Sequence, residues 1–224
     1  MGVRMDIREV YASKSPFYKL AKRGFDVVAS CGALVVLSPL MLATAIAIVI
    51  DDGRPVIYAA PRAGKDGKPF SMYKFRSMKR GADAMRDVAA IPCDDGCDVP
   101  SKPLLHEQGP AFKVDNDPRV TRVGRFIRTY FIDELPQLVN VARGQMSLVG
   151  PRAIEQTREY TPYEAQRLVV QPGLTCYWQT SGNMRMPWEE WLELDLDYIE
   201  DMSVACDLRI LARSVGVVVR GEGG

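Results

Sequence analysis

Residues 27–50 read VVASCGALVVLSPLMLATAIAIVI, 24 positions without a charged side chain. As one straight helix this run would be roughly 36 Å long, enough to cross a bilayer core. It starts too late, runs too long and lacks the cleavage site of a secretory leader. Ser38-Pro39 stands at its midpoint. Proline removes one helix hydrogen bond and clashes with the preceding turn, so a kink is expected there. The serine before it can satisfy the carbonyl that proline frees.

The flanks carry charge. Lys14, Lys19, Lys22 and Arg23 precede the run. Arg54, Arg62, Lys65, Lys68, Lys74, Arg76, Lys79 and Arg80 follow it, against Asp66 alone between positions 54 and 80. Cation-rich flanks are retained on the cytoplasmic side, so both ends are expected to face that side. A bent hairpin that enters and leaves one leaflet satisfies the break and the charge together. A kinked spanning helix and a buried core helix are the alternatives on the residues alone.

The remainder has a folded composition. The chain has 224 residues, 47% hydrophobic and 25% charged, with 29 Lys and Arg against 28 Asp and Glu. A net charge of +1 excludes binding to nucleic acid or membrane driven by overall charge, so any basic site must be local. Five cysteines without framework spacing (Cys31, Cys93, Cys97, Cys176, Cys206) fit free thiols in a reducing compartment.

After the apolar run, PVIYAA and PFSMYKFRSM read as two strands joined by the turn AGKDGK, a hairpin. A short helix is expected over 82–90, then an irregular loop holding Cys93, Cys97 and the only histidine, His106. A zinc site there would need a fourth ligand and better spacing. A surface loop is the simpler reading.

Residues 117–153 read DPRVTRVGRFIRTYFIDELPQLVNVARGQMSLVGPRA. Arg119, Arg122, Arg125 and Arg128 recur every three positions, which on a helix makes a basic stripe. Asp133-Glu134 then precede Leu135-Pro136, the pattern of a helix start. A cap alone accounts for those acids. A helix N-terminus would equally favour phosphate and hold a carboxylate ionised, as nucleophile or metal ligand. Arginines a turn or two upstream can grip a diphosphate, and SLVGPR supplies a Gly-Pro turn presenting Arg152. Carboxylates, arginines and a turn in one block point to phosphoryl transfer. Further on, a loop-rich stretch contains Arg185, residues 188–201 form an amphipathic helix, and residues 207–220 form a last one. That last helix would lie on a membrane surface or pack on the core. Common nucleotide-loop and serine-hydrolase templates are absent.

These residues resemble the bacterial sugar transferase family, the monotopic phosphoglycosyl transferases. The resemblance runs from KRGFDVV at Lys22 to DLRILARSV at Asp207. Between them come YKFRSM at Tyr73, NDPRVTRVGRFIR at Asn116, DELPQL at Asp133, SLVGPR at Ser147 and QPGLTCYWQTSG at Gln171. It implies transfer of a phosphosugar from a UDP-sugar to a polyprenyl (undecaprenyl) phosphate, with release of UMP and a phosphosugar-aspartate intermediate. By that resemblance Asp133 is the nucleophile, Glu134 assists the acceptor or the metal, and both hold Mg²⁺. Phosphate and nucleotide contacts fall on Arg128, Pro151, Arg152, Arg185 and Lys74. The membrane helix turns back at Ser38 and Pro39. The late loop SGNMRMPWEE, which holds Arg185, departs from the family's Asn-Gly-Arg or Ser-Gly-Arg.

The expected architecture is α+β: a helix-rich cytoplasmic domain with short strands, anchored by an N-terminal re-entrant helix-break-helix and amphipathic interfacial helices. Residues 1–53 form the anchor and 54–224 the catalytic domain, in the family's short form. Expected partners are the UDP-sugar, the polyprenyl phosphate and the bilayer of the bacterial inner membrane, on its cytoplasmic face. A second copy of the chain and downstream glycosyltransferases are further candidates, and nucleic acid is not. The competing readings are a catalytically silent scaffold and a Mg-dependent nucleotide-sugar phosphohydrolase.

Overall fold

A computed structural model describes residues 6–82, 117–156, 159–180 and 187–221. Cys93, Cys97, His106 and Arg185 lie outside these residues, as does the helix expected over 82–90 apart from Ala82. The chain mixes helix with short strands, as its periodicities predict.

Three helices come first: α1 (Ile7–Ser13), α2 (Pro16–Val36) and α3 (Ser38–Asp52). Helices α2 and α3 together cover the apolar run and bend by 60° at their junction. No single described helix is long and apolar enough to cross a membrane. The break follows from Pro39, which has no N–H for the carbonyl of Val35 four residues back. The Ser38 hydroxyl donates to that carbonyl at 2.7 Å, as expected of the serine.

Both ends of the bent pair are bound to the same body. Arg23 donates to the carbonyls of Val141 and Ala142 at 2.7 and 2.9 Å. Asp26 is buried and accepts from Ser147 Oγ and the Leu148 amide at 2.7 and 3.1 Å. At the far end, Asp51 accepts from the Val123 amide. Asp52 pairs with Arg76 at 3.0 Å, and Ile48 packs on Phe75 and Ile127. Burying three such side chains contributes about 2 kcal/mol each. Several flanking cations read as membrane-side charge are thus internal ties: Lys22 pairs with Asp207, and Arg76 binds Asp52 and the Gly53 carbonyl.

The hairpin forms as predicted from β1 (Ile57–Ala63) and β2 (Pro69–Phe75), antiparallel in the register Tyr58 to Lys74. Gly67, at φ +73°, supplies the left-handed step in its turn. Helix α4 (Arg122–Thr129) and α5 (Gln137–Ala142) follow, then β3 (Ser147–Val149), β4 (Ile154–Glu155) and β5 (Gly173–Thr175). Strand β4 adds to β1 antiparallel, while β3 and β5 form a separate parallel pair. Helices α6 (Trp188–Asp201) and α7 (Val204–Arg220) close the fold. Helix α6 has the expected limits, and α7 begins three residues before the expected 207. Helix α7 buries Cys206, Ile210 and Val217 in or against the body and exposes Val215 and Val219.

Candidate active site

Two predicted features take a different form. The four arginines do not share one stripe. Arg119 precedes α4 and closes onto Asp117 through bonds of 2.7 to 3.1 Å. Arg122 and Arg125 are exposed, and only Arg128 turns inward, where its Nε donates to Ser77 Oγ at 2.8 Å. The acidic pair, in turn, does not cap a helix. Asp133 and Glu134 sit in their own 3₁₀ turn (Ile132–Glu134), before Pro136 and α5, and both are buried.

A left-handed residue makes that turn. Phe131 has φ +54°, unusual for a bulky side chain and costing about 1 kcal/mol or more. Its amide donates to the Arg128 carbonyl at 3.1 Å and its carbonyl accepts from the Glu134 amide at 3.1 Å. This redirects the chain from the end of α4 so that both carboxylates enter the body. Backbone strain of this kind concentrates at functional sites.

Cations from distant elements meet the pair. Lys74 on β2 donates to Glu134 Oε1 at 2.8 Å. Arg152 donates to the same oxygen at 3.0 Å, and its guanidinium lies 5.6 Å from the Trp178 ring centre. The Asp133 carboxylate accepts no hydrogen bond from a described residue, although Lys74, Arg128 and Arg152 all act on its charge. The two acids therefore separate. Burial and then the charge of Glu134 push Asp133 up to about 6. Burial also pushes Glu134 upward, but Lys74 and Arg152 overcome it and hold that group down at about 2. Asp133 is thus not held ionised by a helix terminus, as its position in sequence suggested. Its charge is opposed by burial and supported by side chains.

Arg152 owes its place to two interlocked motifs. Gly150 and Gly173 pack backbone to backbone, so that a Cβ on Gly173 would stand 2.2 Å from the Gly150 nitrogen. Gly173 N donates to the Pro151 carbonyl at 2.8 Å, and Gly150 N donates to Thr175 O at 3.1 Å. SLVGPR and QPGLT are therefore two halves of one support. Asn140 similarly bolts α5 to the strand bearing Lys74: its Oδ1 accepts from the Tyr73 amide and its Nδ2 donates to the Ser71 carbonyl.

Lys74, Arg128 and Arg152 are brought around the acidic pair, Pro151 binds the Gly173 amide in the support beneath Arg152, and Ser38 and Pro39 serve the helix break. Sequence reasoning assigned no role to Asn140 or Trp178. A polar residue on the apolar face of QLVNV was the available signal for the first.

Among the described residues no group of three or more metal-ligating side chains occurs. A pair of carboxylates still suits Mg²⁺, which takes few protein ligands when substrate phosphates and water supply the others.

The sequence profile of the family described as bacterial sugar transferase matches residues 17–221. The chain is 37% identical to an undecaprenyl-phosphate galactose phosphotransferase of Salmonella typhimurium, over 92% of the chain and 42% of that protein. It is 36% identical to the galactosyl transferase CpsE of Streptococcus agalactiae, over 92% of the chain and 45% of that protein. It thus spans less than half the length of these two relatives. It is also 34% identical to the exopolysaccharide production protein ExoY of Rhizobium meliloti, over 97% of the chain and 93% of that protein.

Proposed function

The chain belongs to the bacterial sugar transferase family, and from that premise we propose that it transfers a phosphosugar from a UDP-sugar to a polyprenyl phosphate and releases UMP. The observation that carries this reading is the pairing of two unlike carboxylates: Glu134 neutralised by Lys74 and Arg152, and Asp133 beside it without a hydrogen bond from a described residue.

An oxygen of Asp133 attacks the sugar-bearing phosphorus of the donor. The bond to the bridging oxygen breaks, and UMP leaves with that electron pair. An oxygen of the polyprenyl phosphate then attacks the same phosphorus and releases the carboxylate. Arg128, Lys74 and Arg152 offset the negative charge of two anionic substrates. Glu134, held far below neutrality, is a poor proton acceptor. The acceptor phosphate is itself anionic and needs no strong base. Glu134 therefore fixes Lys74 and Arg152 and offers an oxygen for a metal. Mg²⁺ held by Asp133 and Glu134 would neutralise the diphosphate. Arg185 is proposed as a further donor contact from the family resemblance alone.

The bent helix pair is read as a re-entrant anchor on the cytoplasmic face of the inner membrane. A spanning helix would carry its ends to opposite sides of the bilayer, but both ends here are bound to one body. Leu40, Leu42, Ile46 and Ile50 on α3 and Val28, Val35 and Val36 on α2 are exposed, an apolar surface suited to lipid.

The test is UMP release by the purified chain in nanodiscs with Mg²⁺, undecaprenyl phosphate and a panel of UDP-sugars. Lipid-dependent UMP from one donor is the expected result. UMP formed equally without lipid would instead make the protein a hydrolase, and no UMP from any donor would favour a silent scaffold.

The pH dependence gives a second prediction. Attack requires ionised Asp133, whose carboxyl burial and Glu134 push upward, so the rate should rise with pH as that group ionises and then level. Glu134→Gln removes the neighbouring negative charge and frees two cations. The limb should then move to lower pH even as the maximal rate falls. A limb that stays in place in that variant would assign the titration to another group.

A further inference from the structure

Arg167 and Asp195 form an ion pair with side chains only 1% exposed, remote in sequence from the acidic dyad. Such a pair is an expensive way to fill a core, because apolar residues of similar volume often stabilise a fold as well or better. Here the geometry is also incomplete. Arg167 Nε and Nη1 make no hydrogen bond with a described residue, while Asp195 is held by the Arg167 side chain and by the Arg152 backbone amide. What the pair does engage is the backbone beneath the active-site arginine. Arg167 Nη2 donates to the Arg152 carbonyl at 2.7 Å, and the same nitrogen pairs with Asp195. The Arg167 guanidinium also lies 5.2 Å from the Trp188 ring centre, which limits its freedom.

The other end of that loop is held from the same helix. The hydroxyl of Tyr198, three residues after Asp195 on α6, lies within hydrogen-bond distance of the Val149 carbonyl, at 3.0 Å, and of Asp207, at 2.8 Å, with one proton to share between them. Lys22 reaches the same two groups at 3.1 and 2.9 Å. One face of α6 thus reaches both ends of the short segment 149–152. Arg152 can meet Glu134 at 3.0 Å and lie on Trp178 only if that segment is fixed.

We propose that the buried Arg167–Asp195 pair is a positioning device for Arg152, acting through its backbone carbonyl. It contacts no substrate. The proposal rests on the reading of Arg152 as an active-site group. A misplacement of about 1 Å is enough to cost about 100-fold in rate.

Removing Arg167 alone strands a buried carboxylate, so the test uses the double variant Arg167→Met with Asp195→Leu in the full chain in nanodiscs. The expected result is a melting temperature equal to or above wild type and a 10- to 100-fold loss in kcat/KM for the UDP-sugar. Adding Arg152→Ala should cost much less in that background than in wild type, because the arginine is already misplaced. Full additivity, or wild-type activity in the double variant, would overturn the proposal. A second readout does not depend on turnover. The Arg152 Nε–H resonance, assigned with Arg152→Lys, should shift or broaden in the double variant as contact with Glu134 and Trp178 loosens. An unchanged resonance overturns the proposal even if no donor yields UMP, an outcome that by itself speaks against the functional reading alone.

Discussion

Asp133→Asn should abolish both UMP formation and the covalent adduct while leaving the fold intact. The substitution keeps the shape of the side chain and removes only its capacity to become an anionic nucleophile. Loss of a covalent nucleophile costs at least about 1,000-fold in turnover. The direction of the stability effect separates this from unfolding. Burial and the adjacent Glu134 raise Asp133 above its unfolded value, so ionising it costs the native state stability as the pH rises to neutrality. A neutral amide relieves that repulsion, and the melting temperature should not fall. Intact-mass measurement after incubation with UDP-sugar, without acceptor lipid, should show a phosphosugar adduct on wild type and none on the variant. An adduct on both proteins at equal rates would place the nucleophile elsewhere and remove the basis for the two-displacement scheme.

Features with a local cause were legible from the residues. Pro39 predicts the break, and the Ser38 hydroxyl bonds the carbonyl that proline leaves open. AGKDGK predicts the hairpin because a left-handed step in its turn suits glycine, here Gly67. Helix α6 follows its apolar periodicity to the residue, and α7 does so at its C-terminal end. Features made by distant partners were not legible. Whether Asp133-Glu134 caps a helix or enters the interior depends on Phe131 adopting a left-handed conformation, for which its residue type gives no signal. It also depends on Lys74, sixty residues earlier, reaching Glu134. Charge counts cannot distinguish a lysine at a membrane surface from Lys22, whose partner Asp207 comes from the last helix. The same holds for Arg167 and Asp195, which look solvated in sequence and meet only when α6 packs.

Gly124→Ala tests whether α4 lies where the site requires it. Gly124 stands within VGRFIR, and a Cβ there would be 1.9 Å from the Ser77 carbonyl oxygen and 2.7 Å from its carbon. These are backbone atoms, so no side-chain rotation relieves the overlap and the helix itself must move. The same contact brings the Thr121 amide to Ser77 O at 3.1 Å and Arg128 Nε to Ser77 Oγ at 2.8 Å. Two opposed terms decide the outcome. Alanine gains about 1 kcal/mol of helix propensity over glycine. Overpacking against rigid backbone costs about 1–3 kcal/mol, occasionally more. The overlap is severe enough for the second to win, so the melting temperature should drop. Arg128 would move with its helix, and a displacement of about 1 Å should lower turnover by about 100-fold. Gly24→Ala is the control, since nothing lies within 4 Å of a Cβ on that helical glycine. It should gain the same propensity and keep full activity. If Gly124→Ala behaves like the control, α4 does not rest on Ser77, and Arg128 reaches the carboxylates by some other route.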